Sequence, residues 1–258
     1  MAESSAESDW DFYFCNVNEV LSSIMVDLAA NRRAPMPHKP CLMWVWVNMQ
    51  SPREDGLSRE DEAAKLYEIE DRLTRSLGEV DAEFVGRITG DSRREFYFYA
   101  PTADIDAALT SVQKAFPEYT VVGGTRHDAA WSQYRELLYP SDKDMQRIQD
   151  RRVVNNLAKR GDVHSIPRPV DHAVYFRSES DRKAFSMAAA GAGFSAIHEG
   201  DFDTDRKQRY FLNVVRTDPV ELDHINAVVA QLRELARMHD GEYDGWGCEV
   251  ETAKAGGG

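Results

Sequence analysis

Hydrophobic residues follow two kinds of pattern along the chain, and the order of these patterns repeats. Short runs rich in aromatic and β-branched residues predict strands, whereas apolar residues three or four positions apart predict helices. In the first half the predicted order is strand, helix, two strands, helix, strand. The segments are CLMWVWVNM, a helix ending at Gly78, AEFVGRIT, REFYFYA, a helix from Thr102 and YTVVGG.

Local signals support this set of elements. Two more strands, DWDFYFCNV and SSIMVDL, precede it, and the turn GDS joins AEFVGRIT to REFYFYA as a hairpin. Ser58 is the predicted N-cap of the first helix, because Asp61 follows three residues later. The apolar stripe of that helix is Leu66, Ile69, Leu73 and Leu77.

The same order of elements returns in the second half, after the two prolines of HSIPRPV. Strands are predicted at DHAVYF, FSAIHEG, RYFLNVV and EYDGWGCEV. Ser178 with Asp181 predicts the start of one helix, and Asp218, Pro219 and Glu221 predict the start of the other. Between the two sets, SDKDMQRIQDRRVVNNLAKRG predicts one long helix.

Two successive β-α-β-β-α-β units predict an α+β protein. Each unit is expected to form a ferredoxin-like sandwich, the first with an extra amino-terminal β-hairpin, and the long helix joins them. The predicted boundaries are a first domain at 8–140, a connecting helix and linker at 141–168, and a second domain at 169–251.

Composition indicates the cellular compartment in which the protein is expected. The longest apolar run, CLMWVWVNM, is shorter than the roughly 20 residues that a membrane span needs, so no membrane association is predicted. The acidic start MAESSAESDWDF is unlike a secretory signal. The three cysteines, Cys15, Cys41 and Cys248, lie far apart and outside any metal-site spacing, which is typical of a cytoplasmic protein.

Charge narrows the choice of partner. The chain has 44 acidic and 31 basic residues, a net charge of -13, and only the predicted connecting helix has an excess of basic residues. Such a chain repels a phosphate backbone at long range and attracts a cationic partner. Direct nucleic-acid binding is therefore disfavoured, and a protein with a basic segment is the expected partner.

The stretch DSRREFYFYAP nevertheless raises an RNA-binding alternative. It lies on the third strand of the first unit, where RNA-recognition domains stack bases on aromatic rings, and DRKQRYFLNVV occupies the same place in the second unit. Alternation sends Phe96 and Phe98 to one face and Tyr97 and Tyr99 to the other. The glycine pattern of the RNA motif is missing. Exposed rings would favour a single-stranded RNA binder, and covered rings would exclude one.

Several short runs resemble known families. From about Val170 to Val250, the runs DHAVYF, SESDRKAF, LDHINAVVAQL and GEYDGWGCEV resemble the RraB family, protein regulators of ribonuclease E. From about Trp10 to Tyr139, the runs WDFYFCNV, PREDGL, RREFYFYAP and WSQYRELLYPS resemble a bacterial domain family of unknown function that is found joined to RraB.

The RraB resemblance implies a ferredoxin-like domain that is not an enzyme. It also implies binding to the non-catalytic, arginine-rich tail of ribonuclease E and a lower rate of RNA decay. No short functional motif is carried over, so the resemblance itself points to no binding residues.

The acidic residues near the carboxyl terminus are the predicted partner contacts. The stretch HEGDFDTDR is the densest acidic run, and EYDGW supplies further acids beside a tryptophan. The predicted contacts are Glu199, Asp201, Asp203, Asp205, Glu242, Asp244 and Trp246. A solvated face that keeps the protein soluble is the alternative explanation.

Motifs for chemistry are weak, and no cofactor is predicted. The spacing of Asp201, Asp203 and Asp205 imitates a calcium loop, but Arg206 and Leu212 replace the required glycine and glutamate. No nucleotide-binding or catalytic motif occurs, so no metal and no catalytic residue are predicted.

The loop PREDGL, residues 52–57, gives a second alternative. Its charged residues could form an acid-base site of an uncharacterised hydrolase, or a turn before the helix. Trp44 and Trp46 are predicted to pack in the core and between the domains and not to line a binding groove. An uncovered edge strand of either sandwich could also pair between two copies of the chain.

Overall fold

The computed structural model describes residues 8–202 and 210–253. Contacts divide the chain after Ile148 into two compact units. Both contain antiparallel sheets with helices, as predicted. No helix among the described residues is long and apolar enough to cross a membrane.

The first unit follows the predicted order. Its elements are β1 Trp10–Val17, β2 Val20–Asp27, β3 Cys41–Asn48, α1 Glu60–Gly78, β4 Glu83–Gly90, β5 Arg93–Ala100, α2 Asp106–Ala115 and β6 Val121–His127. The sheet order is β1-β2-β4-β5-β3-β6, with every pair antiparallel. The four strands β4, β5, β3 and β6 have the ferredoxin-like arrangement. The β1-β2 hairpin extends the sheet beyond β4.

Two-residue turns close both hairpins of this sheet. Asn18 and Glu19 join β1 to β2, and Asp91 and Ser92 join β4 to β5. All four residues have positive φ, between 49° and 69°. Positive φ at both central positions gives the backbone twist that matches paired strands, and it fixes the register of each hairpin.

The two faces of this sheet are covered differently. Helices α1 and α2 pack on the face that carries Met43, Val45, Phe96 and Phe98. The opposite face is covered by a π-helical turn at Gln133–Leu138 and by Trp131 two residues before it; the buried residues of this cover are Trp131, Tyr134 and Leu138. Tyr97 and Tyr99 lie on this second face and are buried. The aromatic third strand of the first unit is therefore a core strand, and the RNA-binding alternative does not hold for this strand.

The start of α1 differs from the prediction. The helix begins at Glu60 with Arg59 at the cap position, and no side chain in the described part of the chain caps it. The hydroxyl of Ser58 instead accepts a hydrogen bond from Arg94 Nη2 at 3.4 Å. Arg94 is a buried cation on the facing strand, so it competes for the oxygen that the cap would need.

The second unit repeats the arrangement. Helix α3, Asp142–Lys159, leads into it and supplies Val154 and Leu157 to its core. The other elements are β7 Arg168–Phe176, α4 Glu179–Gly191, β8 Ser195–Asp201, β9 Tyr210–Asp218, α5 Leu222–Met238 and β10 Gly241–Cys248. The sheet order β10-β7-β9-β8 is again ferredoxin-like and antiparallel. Ser178 caps α4 as predicted, because its Oγ accepts from the backbone N–H of Asp181 at 3.1 Å.

A buried ion pair joins the two ends of the second sheet. Arg168, at the start of β7, binds the carboxylate of Asp162, and both side chains are almost fully buried. Arg168 also donates to the carbonyl oxygen of Glu249 at 3.3 Å. The same carboxylate accepts from the backbone N–H of Glu251 at 2.8 Å. The chain therefore enters and leaves this sheet at one place.

Candidate functional site

The second sheet has one face packed on helices and one that points away from them. On β7, Val170, Val174 and Phe176 pack in the core with α4 and α5. The alternate side chains of β7 and β9 point to the other side, and they are half-buried or exposed. We define this side as the open face; it carries Asp171, Ala173, Tyr175, Phe211, Asn213 and Val215.

Four rings form a connected cluster at one end of the open face. Tyr175 and Phe211 are register partners on the two central strands. Phe202 lies with its ring centroid 6.0 Å from that of Tyr175 and 5.2 Å from that of Phe211. His198 is 5.2 Å from Phe211 on the other side. We call Tyr175, His198, Phe202 and Phe211 the ring cluster.

Gly200 lets this cluster lie flat on the sheet. It is the register partner of Phe211 on β8. A Cβ atom at Gly200 would stand 2.7 Å from Cε1 of the Phe211 ring, which is closer than carbon atoms can approach. The ring of Phe211 therefore lies across the glycine and forms a low aromatic platform instead of standing away from the sheet.

Carboxylates accompany the rings on the same face. Glu242 on β10 is the register partner of Tyr175, so the two side chains share a face. Asp171 lies four residues before Tyr175 on β7 and points the same way. Both acidic side chains are exposed. Aromatic rings beside carboxylates suit a guanidinium group, which can stack and form ion pairs at once.

The predicted contacts on β8 lie on the opposite face. A bulge between Ala196 and His198 inserts one residue into β8. Because a one-residue shift exchanges the two sides of a strand, Glu199 and Asp201 pair with Leu212 and Tyr210 on the helix side. The guanidinium of Arg182, on α4, lies 3.7 Å from the Glu199 carboxylate. Asp203 and Asp205 lie outside the described residues.

A second bulge changes the predicted contacts on β10. It lies between Tyr243 and Gly245, where Asp244 is the extra, exposed residue and Gly245 has a φ of +151°. After the bulge, Trp246 pairs with His172 on the helix side. Its Nε1 donates to Asp150 Oδ1 on α3 at 2.9 Å, so the indole packs inside the unit. Of the predicted contacts, the register places Glu242 on the open face.

His172 is buried on the helix side of the second sheet. It points to the helix side of β7, is 1 % exposed, and lies with Nδ1 2.9 Å from the hydroxyl oxygen of Tyr243. Burial lowers the pKa of His172 to about 4; Arg216 also lowers this pKa, whereas Asp218 raises it. The ring is therefore neutral at neutral pH, which suits a core residue.

The PREDGL loop forms a turn in which charged side chains pair with groups of the same loop. Arg53 Nη2 pairs with Asp55 Oδ2 at 2.5 Å, and Asp55 Oδ1 accepts from the backbone N–H of Leu57 at 3.1 Å. Gly56 has a φ of +77° and bonds through its carbonyl to the N–H of Ser92. The turn and its contact with the β4-β5 hairpin account for Arg53 and Asp55 without an acid-base site.

The described residues contain no group of three or more His, Cys, Asp or Glu side chains that could hold a metal ion. The open-face residues Tyr175, Phe202 and Asp171 were not found from the sequence. Period-two alternation in DHAVYF could have placed Asp171 and Tyr175 on one face. The bulge in β8 leaves no distinctive residue pattern, whereas Gly245 within the run EYDGWGCEV is a signal of the bulge in β10.

Comparisons with known families agree with the two units. The family of unknown function DUF695 matches residues 8–139, about half of the sequence. The chain belongs to this family. The family Regulator of ribonuclease activity B, RraB, matches residues 147–248. The two matches confirm both resemblances and the order of the domains. RraB is a regulatory, non-catalytic family. Below, residues 8–139 are the DUF695 domain and residues 147–248 the RraB domain.

The other comparisons give no information about function. No curated protein matches the chain. A crystal structure of an unknown protein from Galdieria sulphuraria aligns with 80 % of this chain and 96 % of that one, at 11 % identity and a TM-score of 0.23. A likeness at that TM-score carries no argument about fold or function.

Proposed function

We propose that the RraB domain binds an arginine-rich segment of a protein partner in RNA degradation and so inhibits a nuclease, ribonuclease E or a similar component. The binding surface is the open face. The family match supports a regulator of ribonuclease activity. The finer steps, namely the basic segment and the inhibition, are the proposal.

One observation carries the proposal: the ring cluster lies beside the exposed carboxylates of Asp171 and Glu242 on one sheet face. An arginine side chain can stack its flat guanidinium on Phe211 or Phe202 while a carboxylate accepts its hydrogen bonds. The net charge of -13 adds a long-range attraction that speeds association and weakens with salt.

The direct test is a titration of the full-length protein against a labelled peptide from the arginine-rich tail of the host's ribonuclease E. Binding is measured by fluorescence anisotropy at about 50 mM and about 200 mM salt. We expect binding at the lower salt, and a dissociation constant that rises at the higher salt. In parallel, the protein should slow RNA cleavage by ribonuclease E.

Two charge-matched double variants locate the site. Asp171→Asn with Glu242→Gln removes two charges from the open face, whereas Glu199→Gln with Asp201→Asn removes two from the helix side. Both change the net charge equally, so they weaken long-range attraction alike. We expect the first to weaken peptide binding about threefold to tenfold more than the second.

Three outcomes would contradict the proposal. Equal losses in the two variants would place the contact elsewhere and leave only long-range attraction. A larger loss in the Glu199 and Asp201 variant would move the contact to the helix side of β8. Absence of peptide binding at about 50 mM salt would contradict the proposal that the protein binds a basic segment.

A single-stranded RNA binder is the second candidate function. Tyr175 and Phe211 lie on the two central strands of the sheet, the place where ferredoxin-like RNA-binding domains stack bases. The neighbouring carboxylates oppose phosphate. An RNA of the same length as the peptide therefore belongs in the same titration, and binding to RNA alone would favour this second candidate.

A further inference from the structure

Two buried arginines lie beneath helix α1 in the DUF695 domain. Arg87 on β4 is 9 % exposed, and Arg94 on β5 is 3 % exposed. The register pairs Arg87 with Phe96 and Arg94 with Thr89, so both guanidinium groups lie on the helix side of the sheet. A buried guanidinium is costly unless acceptors, above all carboxylates, surround it. The stability of this arginine pair therefore depends on the groups next to it.

The described residues give this pair one bound carboxylate. Glu70 on α1 accepts from Arg87 through both of its oxygens, whereas Arg94 forms an ion pair with none of the described carboxylates. Arg94 Nε donates to Thr89 Oγ1 at 2.9 Å, and its Nη2 donates to Ser58 Oγ at 3.4 Å. Both of these acceptors are neutral. The remaining nitrogen, Nη1, is buried and has no hydrogen-bond partner in the part of the chain that the structure describes.

The surroundings of Arg94 disfavour its charge. Burial, together with the nearby Arg87 cation, lowers the pKa of Arg94 to about 10. Tyr67, Glu70 and Glu62 raise this pKa but do not offset burial. Arg94 is still charged at neutral pH, so the fold holds a cation that its own groups stabilise incompletely. An arrangement that costs stability in this way is typical of a binding site.

Tyr67 on α1 lies over both guanidinium groups. Its ring centroid is 4.9 Å from Cζ of Arg87 and 5.1 Å from Cζ of Arg94. Tyr67 is 47 % exposed, so the other side of its ring faces solvent. Exposed side chains change rotamer rapidly. Rotation of this one side chain would give a ligand access to the two arginines without a movement of the sheet or the helix.

We propose that Arg87 and Arg94 form a binding site for a phosphate group, with Tyr67 as its movable cover. Arg94 Nη1 donates to the bound phosphate, and the hydroxyls of Ser58 and Thr89, which accept from Arg94, each retain a proton that can be donated to it. A phosphate group suits the site better than a carboxylate does, because it carries more charge and offers three strong acceptor oxygens. The net charge of -13 repels anions at long range, so affinity comes from these short contacts.

The first test is a titration of the full-length protein with inorganic phosphate by isothermal calorimetry, at an ionic strength held constant with sodium chloride. We expect a dissociation constant of about 1 mM or below, and Arg94→Met should raise it at least about tenfold. Arg93→Met is the matched control, because Arg93 is the preceding residue of β5 and pairs with Glu95 on the other face of the sheet. It removes the same charge and should leave phosphate binding unchanged. Acetate should bind the wild type at least about tenfold more weakly than phosphate does.

The stability of the same variant distinguishes a binding role from a structural one. Methionine is also long and unbranched but has no charge, so Arg94→Met removes the incompletely stabilised cation. Without phosphate, the midpoint of urea unfolding of the first unit should stay at the wild-type value or rise. With about 20 mM phosphate, the midpoint of the wild type should rise and that of the variant should not.

Several results would overturn the phosphate site. An Arg94→Met variant that unfolds, or that loses stability without phosphate, would make Arg94 a structural residue. A wild-type protein that binds no phosphate up to about 20 mM would exclude the ligand. Equal losses of binding in the Arg93 and Arg94 variants would place phosphate elsewhere on the protein. Acetate that binds as tightly as phosphate would contradict the choice of a phosphate group.

Discussion

The two units share one arrangement of strands and helices but use the face away from the helices differently. In the DUF695 domain this face buries Tyr97 and Tyr99, and the indole of Trp131 stacks on Tyr99 at 4.0 Å. In the RraB domain the same face presents Tyr175 and Phe211 half-buried. An aromatic third strand is thus compatible with a core or with a binding surface. The chain segment that returns across the sheet, here Trp131–Leu138, decides which one forms.

The largest expected effect comes from deleting one ring in each unit. Tyr99→Ala removes a fully buried ring and its hydrogen bond to Asp128 at 2.6 Å, so it should lower the free energy of unfolding by about 3–5 kcal/mol. Phe211→Ala removes a half-buried ring from the open face and should lower it far less. Urea unfolding is followed by tryptophan fluorescence for the first unit, which contains four of the five tryptophans, and by hydrogen exchange of backbone amides for the second unit.

The Phe211→Ala variant is also tested for peptide binding, which distinguishes a surface ring from a core ring. Phe211→Ala should weaken peptide binding, since it removes the platform for the guanidinium. A destabilisation by Phe211→Ala as large as that by Tyr99→Ala would mean that both faces are cores, and the comparison between the units would fail.

The next effect is a pH dependence confined to the RraB domain. The pKa of His172 is about 4 in the folded protein, because of burial, and near 6.5 in the unfolded chain. Between these values the unfolded state binds more protons, so stability falls as the pH falls from 6.5 to 4. The loss should reach about 3 kcal/mol. Hydrogen exchange of backbone amides in the RraB domain, measured across this range, would report it.

A variant and a control identify the source of that pH dependence. His172→Gln retains a side chain able to hydrogen-bond to Tyr243 and cannot titrate, so the slope of stability against pH should flatten. His198→Gln changes an exposed histidine and should keep the slope. An unchanged slope in the His172 variant would assign the pH dependence to other groups.

A smaller effect is expected from two serines that precede helices, of which one caps its helix and the other does not. Ser178→Ala removes the N-cap of α4 in the RraB domain and should lower stability by about 1 kcal/mol. Ser58→Ala removes a serine that precedes α1 without capping it, so it should cost about a few tenths of a kcal/mol. Thermal unfolding of both variants gives the comparison; a larger cost at Ser58 would show that its bond to Arg94 stabilises the DUF695 domain.

The smallest effect tests the chemistry of the ring cluster. A peptide with every arginine replaced by lysine keeps its charge but loses the flat guanidinium groups. We expect it to bind the wild-type protein about twofold to fivefold more weakly, corresponding to about 0.5–1 kcal/mol of cation–π stacking. The Phe211→Ala variant should discriminate less between the two peptides than the wild type does. Equal binding of both peptides to the wild type would show that charge alone accounts for affinity.

The fold followed from sequence because its signals are local. Hydrophobic period, the Ser178 cap and the GDS turn each act over a few residues, and together they predicted the order of strands and helices. The π-helical turn at Gln133–Leu138 escaped prediction. Trp131, Tyr134 and Leu138 have the i, i+3, i+7 spacing of a helix face, but the segment WSQYRELLYP is short, and its position depends on long-range packing of Trp131 and Tyr134 against the sheet.

The candidate site could be predicted only in part. Acidic residues were visible in the sequence, but the face that each occupies depends on the register, and one inserted residue reverses it. The insertion before His198 moves Glu199 and Asp201 to the helix side, and the one at Asp244 moves Trp246 there. Glu242 precedes its bulge and remains on the open face, the surface that we propose for binding.

The ion pair between Arg168 and Asp162 has a consequence for how this domain connects to others. It holds the first residue of β7 beside the backbone that leaves β10, so the sheet begins and ends at the same point. A domain whose ends meet can be spliced into or appended to another gene as a cassette, because the host needs only one point of attachment. The RraB domain can therefore be joined to another domain through a single connection that leaves its sheet unchanged.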